Sequence, residues 1–326
     1  MIRYVRGVSD PSIYHGFNRR PPYFEGWYFK QVSADRRQRW AIIPGVFRAE
    51  DSSKDHAFVQ VLDGVTGHAS YHEYPVDTFW ADRIRFDIRI GPNRFSRTSL
   101  AVDLSGERTV SGALEYAEHT GLPWSVLRPG IMGPFAYIPS MECYHAIVSM
   151  DNRVRGSLVI GGAVVDFSGG IGYQEKDWGT NFPSAYVWQQ SNHFSTPGTS
   201  LSASIARIPL WGLNFPGFIV ALWHHGRHYR WGTYTGATVT RLIVRDDVVE
   251  WSVRDRRYVL EMISQRAKGG LLKAPIRTEM HRRVDETMNA LIHVRLIGRD
   301  GTVILDDAAD CAALEVNGEI HRLVTA

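Results

Sequence analysis

The chain has 326 residues, 44% of them apolar and 22% charged, with a net charge of +3 and only two cysteines, Cys143 and Cys311. This composition is globular, and the length suits two domains, because single cores stop growing near ~250–300 residues. So small a charge, with no helix-turn-helix, RRM or zinc-finger spacing, excludes a nucleic-acid partner, and two distant cysteines exclude a disulfide framework.

In chain order, the start MIRYVRGVSDPSIYHGF has no apolar h-region, and no run anywhere approaches ~18 apolar residues. A soluble, cytoplasmic protein is expected, with no transmembrane segment and at most a peripheral membrane contact. Ile84, Phe86, Ile88 and Ile90 alternate with Arg83, Arg85, Asp87 and Arg89, a period of two that predicts a strand; SLAVDLSG follows after a turn at GPN. RGSLVIGGAVVDFSGG predicts a hairpin turning at Gly161-Gly162, and GFIVALWHHGRHYRWGTYTG a second, turning near Gly226. Short β-branched runs continue to the end, broken by the RDG and NGE turns. The best helical candidate is IRTEMHRRVDETMNAL, residues 276–291. Many short strands with turn signals every ~8–12 residues predict an all-β fold. EGWYFKQV in the first half has a faint echo in AYVWQQSNHF, which places the domain boundary near residues 180–185.

The most unusual stretch is YQEKDWGTNFP, residues 173–183, where Glu175, Lys176 and Asp177 run into Trp178. As a strand, Tyr173, Glu175 and Asp177 would share one face and Gln174, Lys176 and Trp178 the other; as a turn, the three charges would form a clamp of ion pairs. Two further carboxylates stand among aromatics. Glu142 lies near Phe135, Tyr137 and Tyr144, either as an acid kept protonated by burial, or as a cap on a buried backbone amide or the partner of an arginine. Glu25 lies beside Trp27 and Tyr28, either as an acid or as a polar plug paired with an arginine. His145, Asn192 and His193 are of the type that orients a phenol or ketone, or simply core residues. His224, His225 and His228 have no carboxylate nearby in sequence, and no metal site is expected there. No P-loop, dinucleotide fingerprint or G-x-S-x-G elbow occurs, so no nucleotide cofactor and no serine hydrolase are expected.

FEGWYFK (24–30), GPFAYIPSMECYH (133–145), YQEKDWGTNFP and WQQSNHF (188–194) stand in the order of, and together resemble, the tocopherol cyclase family and its bacterial relatives. The resemblance implies two lipocalin-like antiparallel β-barrel or sandwich domains, here residues 1–180 and 181–326. It also implies acid-catalysed cyclisation or isomerisation of a hydrophobic, prenylated or polyene substrate, in which an alkene is protonated and a phenol oxygen captures the cation. The family pattern matches at Phe24 to Phe29, Glu175, Lys176, Trp178, Gly179, Asn192 and Phe194, with Gln189 or Gln190 beside them. It departs at Glu142, where plant members have Glu-Pro-His-Trp and this chain has Glu-Cys-Tyr-His, and at Asp177 plant members accept Asn.

The candidate acids and orienting groups are thus Glu142, Glu175, Lys176, Asp177 and Glu25. The candidate wall is Trp27, Tyr28, Phe135, Tyr137, Tyr144, His145, Tyr173, Trp178, Trp188, Asn192 and Phe194, because aromatic faces tolerate a carbocation. A non-catalytic carrier of a lipophilic molecule would use the same lining. A β-sandwich that binds protein or glycan through exposed aromatics is a third reading.

Overall fold

The structure, a computed structural model, describes residues 7–139 and 141–323, and of Arg282 and Arg283 only the backbone. The fold is all-β, as expected, and consists of two curled antiparallel sheets. The first sheet begins with β1 (Tyr23–Val32), β2 (Arg39–Arg48), β3 (His56–Asp63) and β4 (Ala69–Pro75). It continues with β5 (Phe79–Ala81), β6 (Asp87–Ile90), β7 (Asn93–Ser96), β8 (Ser99–Leu104) and β9 (Val110–Ala117). It ends with β10 (Cys143–Ile160), β11 (Ala163–Asp166) and β12 (Gly170–Gly179). The second sheet opens with β13 (Ala185–Ser191), β14 (Thr199–Leu210), β15 (Leu213–His224) and β16 (Arg227–Gly232). Then come β17 (Thr238–Val244), β18 (Val248–Arg254), β19 (Tyr258–Gln265), β20 (Gly270–Ile276), β21 (Glu279–Gly298) and β22 (Val303–Gly318).

The strand orders are β4-β3-β2-β1-β12-β10-β9-β8-β7-β6-β5 and β16-β15-β14-β13-β22-β21-β19-β18-β17. Both follow one plan. Four strands meander outward, and the last strand of the sheet returns to pair with the first. EGWYFKQV lies on β1 and AYVWQQS on β13, the equivalent central strands, so the sequence echo has a topological counterpart. By its internal contacts the chain forms two compact units, Met1–Phe182 with Leu271–Arg283, and Pro183–Gly270 with Val284–Ala326. Residues 271–283 therefore belong with the first unit although they follow most of the second, a crossing that a single boundary at 180 does not contain.

Each unit has its own core. Trp27, Phe29, Phe86, Phe95 and Tyr116 are buried in the first, and Val187, Trp231, Trp251, Met262 and Ile292 in the second. Two sequence expectations change. Residues 84–90 were expected as one strand, yet only Asp87–Ile90 pairs and Ile84 is 62% exposed. The carboxylate of Asp82 accepts the backbone N–H groups of Ile84 and Arg85, and this turn removes the donors a ladder needs. The helix expected over 276–291 is instead the end of β20 and the first part of β21. Met280, Val284 and Met288 are buried at intervals of four, a spacing that fits a helix and a strand equally, and Glu286 and Ala290, also buried, fall on the alternate positions of a strand.

The Gly161-Gly162 turn joins β10 to β11 with φ of 58° and 85°, the left-handed pair that a two-residue hairpin requires. Nothing lies within 4 Å of a Cβ built on Gly162. Gly162→Ala should therefore cost about 1 kcal/mol through the backbone alone, read as a lowered urea midpoint.

Candidate active site

The stretch YQEKDWG is a strand, β12, paired with β1 on one side and β10 on the other. Trp27, Lys176 and Ala146 stand level across the three strands, as do Glu25, Trp178 and Tyr144. Alternation sends Lys176 and Trp178 to one face with Glu25 and Trp27. Tyr173, Glu175 and Asp177 go to the other face, with Tyr28 and His145.

On the first face Glu25 and Lys176 form an ion pair with no exposed side-chain surface. The Glu25 carboxylate also accepts from the Tyr23 hydroxyl and from the backbone N–H of His15, at 3.0 and 2.9 Å to its two oxygens. The Lys176 ammonium donates to the carbonyls of Pro11 (3.1 Å) and Ile13, and to Nδ1 of His15 (2.8 Å). It also lies 4.8 Å from the Trp27 ring and 4.7 Å from the Trp178 ring, within cation–π range. Burial pushes the Glu25 carboxyl up, but Lys176 and His15 outweigh it and leave the carboxyl below its ordinary range. Burial lowers Lys176 to about 8, against the pull of Glu25. His15 is held below its ordinary value by burial and by the charge of Lys176, so it is a neutral imidazole that accepts at Nδ1 and donates from Nε2 to the Gly7 carbonyl at 3.2 Å. Glu25 is thus a polar plug, closed by a lysine where an arginine was expected. Burial does not keep it protonated.

A cavity of 370 Å³ adjoins this knot, within the size range of small-molecule sites. The N-terminal segment contributes Ile13, Tyr14 and His15, and the loop before β10 contributes Ile131, Met132 and Pro139. Of the sequence candidates, Tyr144, His145 and Trp178 line it. His15 and Tyr144 both lie parallel to the Trp178 indole, at centroid distances of 4.2 and 5.2 Å. The Tyr144 hydroxyl is already committed to the Ile138 carbonyl, which ties the loop to β10.

Other candidates lie elsewhere. Trp27 is a core residue, stacked on Phe86, with its N–H on the Ser12 carbonyl at 2.8 Å. Tyr28 and Tyr173 are on the opposite face of the sheet. Phe135 and Tyr137 sit on the loop, and neither is in the lining; the Tyr137 hydroxyl donates to the Val126 carbonyl. Glu142 is half-buried and also outside the lining. Its carboxylate accepts from the Asn181 side-chain amide at 3.1 Å, and its main-chain carbonyl accepts from the Thr180 N–H at 2.9 Å. Trp188, Asn192 and Phe194 belong to the second unit, where all three are buried and Phe194 is a core residue. No Asp or Glu occurs among the described lining residues.

His145 is in the lining, between Tyr144 and Ala146 on β10, but its ring lies on the opposite face of the sheet with Glu175 and Asp177. Its Nδ1 is 3.0 Å from an Asp177 oxygen and its Nε2 is 3.5 Å from a Glu175 oxygen. Glu175 in turn accepts from the Tyr173 hydroxyl at 2.6 Å. A carboxylate only accepts, so an imidazole facing one at each nitrogen is fully satisfied when doubly protonated. His145, Glu175 and Asp177 also offer one ligand atom each within 4.8 Å of one another, close enough to hold a metal ion. The histidines of the β15–β16 hairpin form no such group: His224 bonds to Thr199 at 2.8 Å and packs against His225. His15, Tyr14 and Tyr23 went unnoticed in the sequence. The aromatic flanks of His15 in IYHGF are the one local signal that could have flagged it.

Among the described residues no helix is long and apolar enough to cross a membrane. The chain is 23% identical to the chloroplastic tocopherol cyclase of Zea mays over 96% of its own length and 78% of the relative's. It is 22% identical to a probable chloroplastic tocopherol cyclase of Oryza sativa subsp. japonica, over 96% and 79%. Among solved structures it resembles CghA (TM-score 0.57, 10% identity, 94% and 90% of the two chains) and kievitone hydratase from Nectria haematococca (TM-score 0.53, 11%, 94% of each). A putative AttH from Nitrosomonas europaea is similar at TM-score 0.55 and 14% identity, over 94% and 95%. These likenesses make the fold lipocalin-like. The family profile described as tocopherol cyclase-like matches residues 125–318, more than half of the chain, and the protein belongs to that family.

Proposed function

We propose that this protein is a cyclase- or hydratase-type enzyme that holds a hydrophobic, prenylated or polyene substrate in the cavity of the first unit and transfers a proton through His145. Family membership and the names of the plant relatives support an enzyme of this kind. The observation that carries the residue assignment is His145, a residue of the cavity lining whose ring nitrogens face Asp177 at 3.0 Å and Glu175 at 3.5 Å on the other side of the sheet.

In this reading Asp177 and Glu175 hold the imidazolium, and Tyr173 fixes Glu175. The imidazolium turns its Nε2–H from Glu175, the longer of its two contacts at 3.5 Å, toward the cavity and gives that proton to an alkene carbon. A hydroxyl oxygen of the same substrate bonds to the cation that forms, and the hydroxyl proton returns to His145. The sequence is a net isomerisation and needs no co-reactant; with water as the oxygen source it becomes a hydration. His15 and Tyr144 supply the aromatic wall, and Glu25, Lys176 and Trp178 hold that wall in place. General acid catalysis of this kind is worth roughly 10²–10⁴-fold.

The carrier reading has one observation in its favour: the lining is mostly apolar and its described residues include no carboxyl group. Incubation with a prenylated phenol in D2O separates the two. The enzyme reading predicts a ring-closed product with one carbon-bound deuterium. Recovery of unchanged, undeuterated substrate from the protein would leave a carrier. A metal ion that copurifies with the protein and is lost in His145→Gln would replace the proton as the acid.

A further inference from the structure

We infer that the cavity of the first unit takes a ligand with an anionic head and an apolar body, the head being held by Arg19 and Arg83. The inference rests on that cavity being the binding site and adds the chemical class of what fills it. Both arginines line the cavity, and no described lining residue is acidic. Among the described residues neither guanidinium pairs with a carboxylate, because the nearby acids are engaged elsewhere. Asp82 caps the backbone of Ile84 and Arg85. Asp87 is bound by Arg94 at 2.8 Å and approached by Arg85. Glu25 is closed by Lys176.

The Arg83 guanidinium is held 5.3 Å over the Phe17 ring, and the main chain at Arg19 is tied to Arg48, whose guanidinium donates to the Arg19 carbonyl at 3.5 Å. Burial gives the cavity a direction. Arg83 and Asn18 are exposed and Arg19 is half-buried, whereas Ile13, Ile131, Tyr144 and Trp178 are buried. The charged end is therefore the mouth and the apolar end the interior. Two guanidiniums beside an apolar interior match a carboxylate or comparable anion on a hydrocarbon chain, since guanidinium binds such groups through paired hydrogen bonds. A neutral lipid would leave both cations without a counter-charge.

The test compares three amphiphiles of equal chain length, dodecanoate, dodecan-1-ol and dodecyltrimethylammonium, each below its micelle concentration. Each competes with the neutral fluorophore N-phenyl-1-naphthylamine for the full chain. Dodecanoate should bind about tenfold more tightly than dodecan-1-ol, and the ammonium compound most weakly. Arg19→Met with Arg83→Met should abolish that preference and leave dodecan-1-ol within about twofold of its wild-type affinity. Equal affinity for the acid and the alcohol, or a preference that survives in the double variant, would overturn the inference. None of the three probes can undergo ring closure, so the result is independent of whether the protein is an enzyme.

Discussion

Glu25→Gln should destabilise the first unit by about 3–5 kcal/mol at pH 7, because it leaves the Lys176 ammonium buried without its counter-charge. Lys176 has no exposed side-chain surface, and its remaining partners are two carbonyls, a neutral imidazole and two aromatic faces. These soften the loss of the carboxylate but do not cancel a charge. The folded variant lowers the cost by releasing the proton, and the pH dependence follows from that. In the wild type Lys176 is lowered to about 8, so the folded state loses about half a proton by pH 8 while the unfolded chain keeps it, and wild-type stability rises by roughly 0.3 kcal/mol from pH 7 to pH 8. In Glu25→Gln the attraction that raises Lys176 is gone. Its folded pKa falls further, and the unfolded chain binds the extra proton over that whole interval. Stability of the variant therefore rises more steeply with pH, and the gap to wild type narrows by up to about 1 kcal/mol from pH 7 to pH 8. On the acid side the sign is the usual one for a carboxylate. Glu25 lies below its ordinary value in the folded state, so its contribution is present above the unfolded pKa and lost as pH falls. Lys176→Met added to Glu25→Gln should recover most of the loss, since an apolar side chain of similar length needs no counter-ion. Urea unfolding of the single and double variants at pH 7 and 8 measures all of these quantities. A single variant as stable as wild type would mean that the pair contributes nothing.

The all-β character and both glycine hairpins were legible because they depend on neighbouring residues: a period of two, and turn residues that permit positive φ. The repeated topology was visible only as the echo between residues 25–32 and 185–194, since strand order across a sheet leaves no local mark. Residues 276–291 misled because side chains spaced by four satisfy both periods. The face separation along β12 follows from alternation and was one of two readings open in the sequence. Lys176, one of only five lysines in the chain, is the centre of the buried knot, yet its partners Pro11, Ile13 and His15 lie more than 160 residues away. That separation is why the N-terminal segment was read only for what it lacked. Glu142 misled for a different reason. Aromatic neighbours in sequence indicate an apolar environment, but the carboxylate is only half-buried and is taken up by the Asn181 side chain.

His145→Gln should lower turnover of a prenylated phenol by about 10²–10⁴-fold, the worth of a positioned proton donor. The amide keeps hydrogen-bonding capacity toward Asp177 and Glu175 but cannot carry the proton. Asp177→Asn should give a smaller loss, since Glu175 remains to hold the imidazolium and the asparagine still accepts one hydrogen bond through its carbonyl. Neither substitution touches Glu25, Lys176 or the stacked rings of His15, Trp178 and Tyr144, so the cavity should keep its shape. Product formation and N-phenyl-1-naphthylamine uptake measured side by side on wild type and His145→Gln are therefore decisive. Full uptake with turnover at least about a hundredfold lower is the expected pair of results. Undiminished product formation in the variant would show that proton transfer in this protein does not pass through His145.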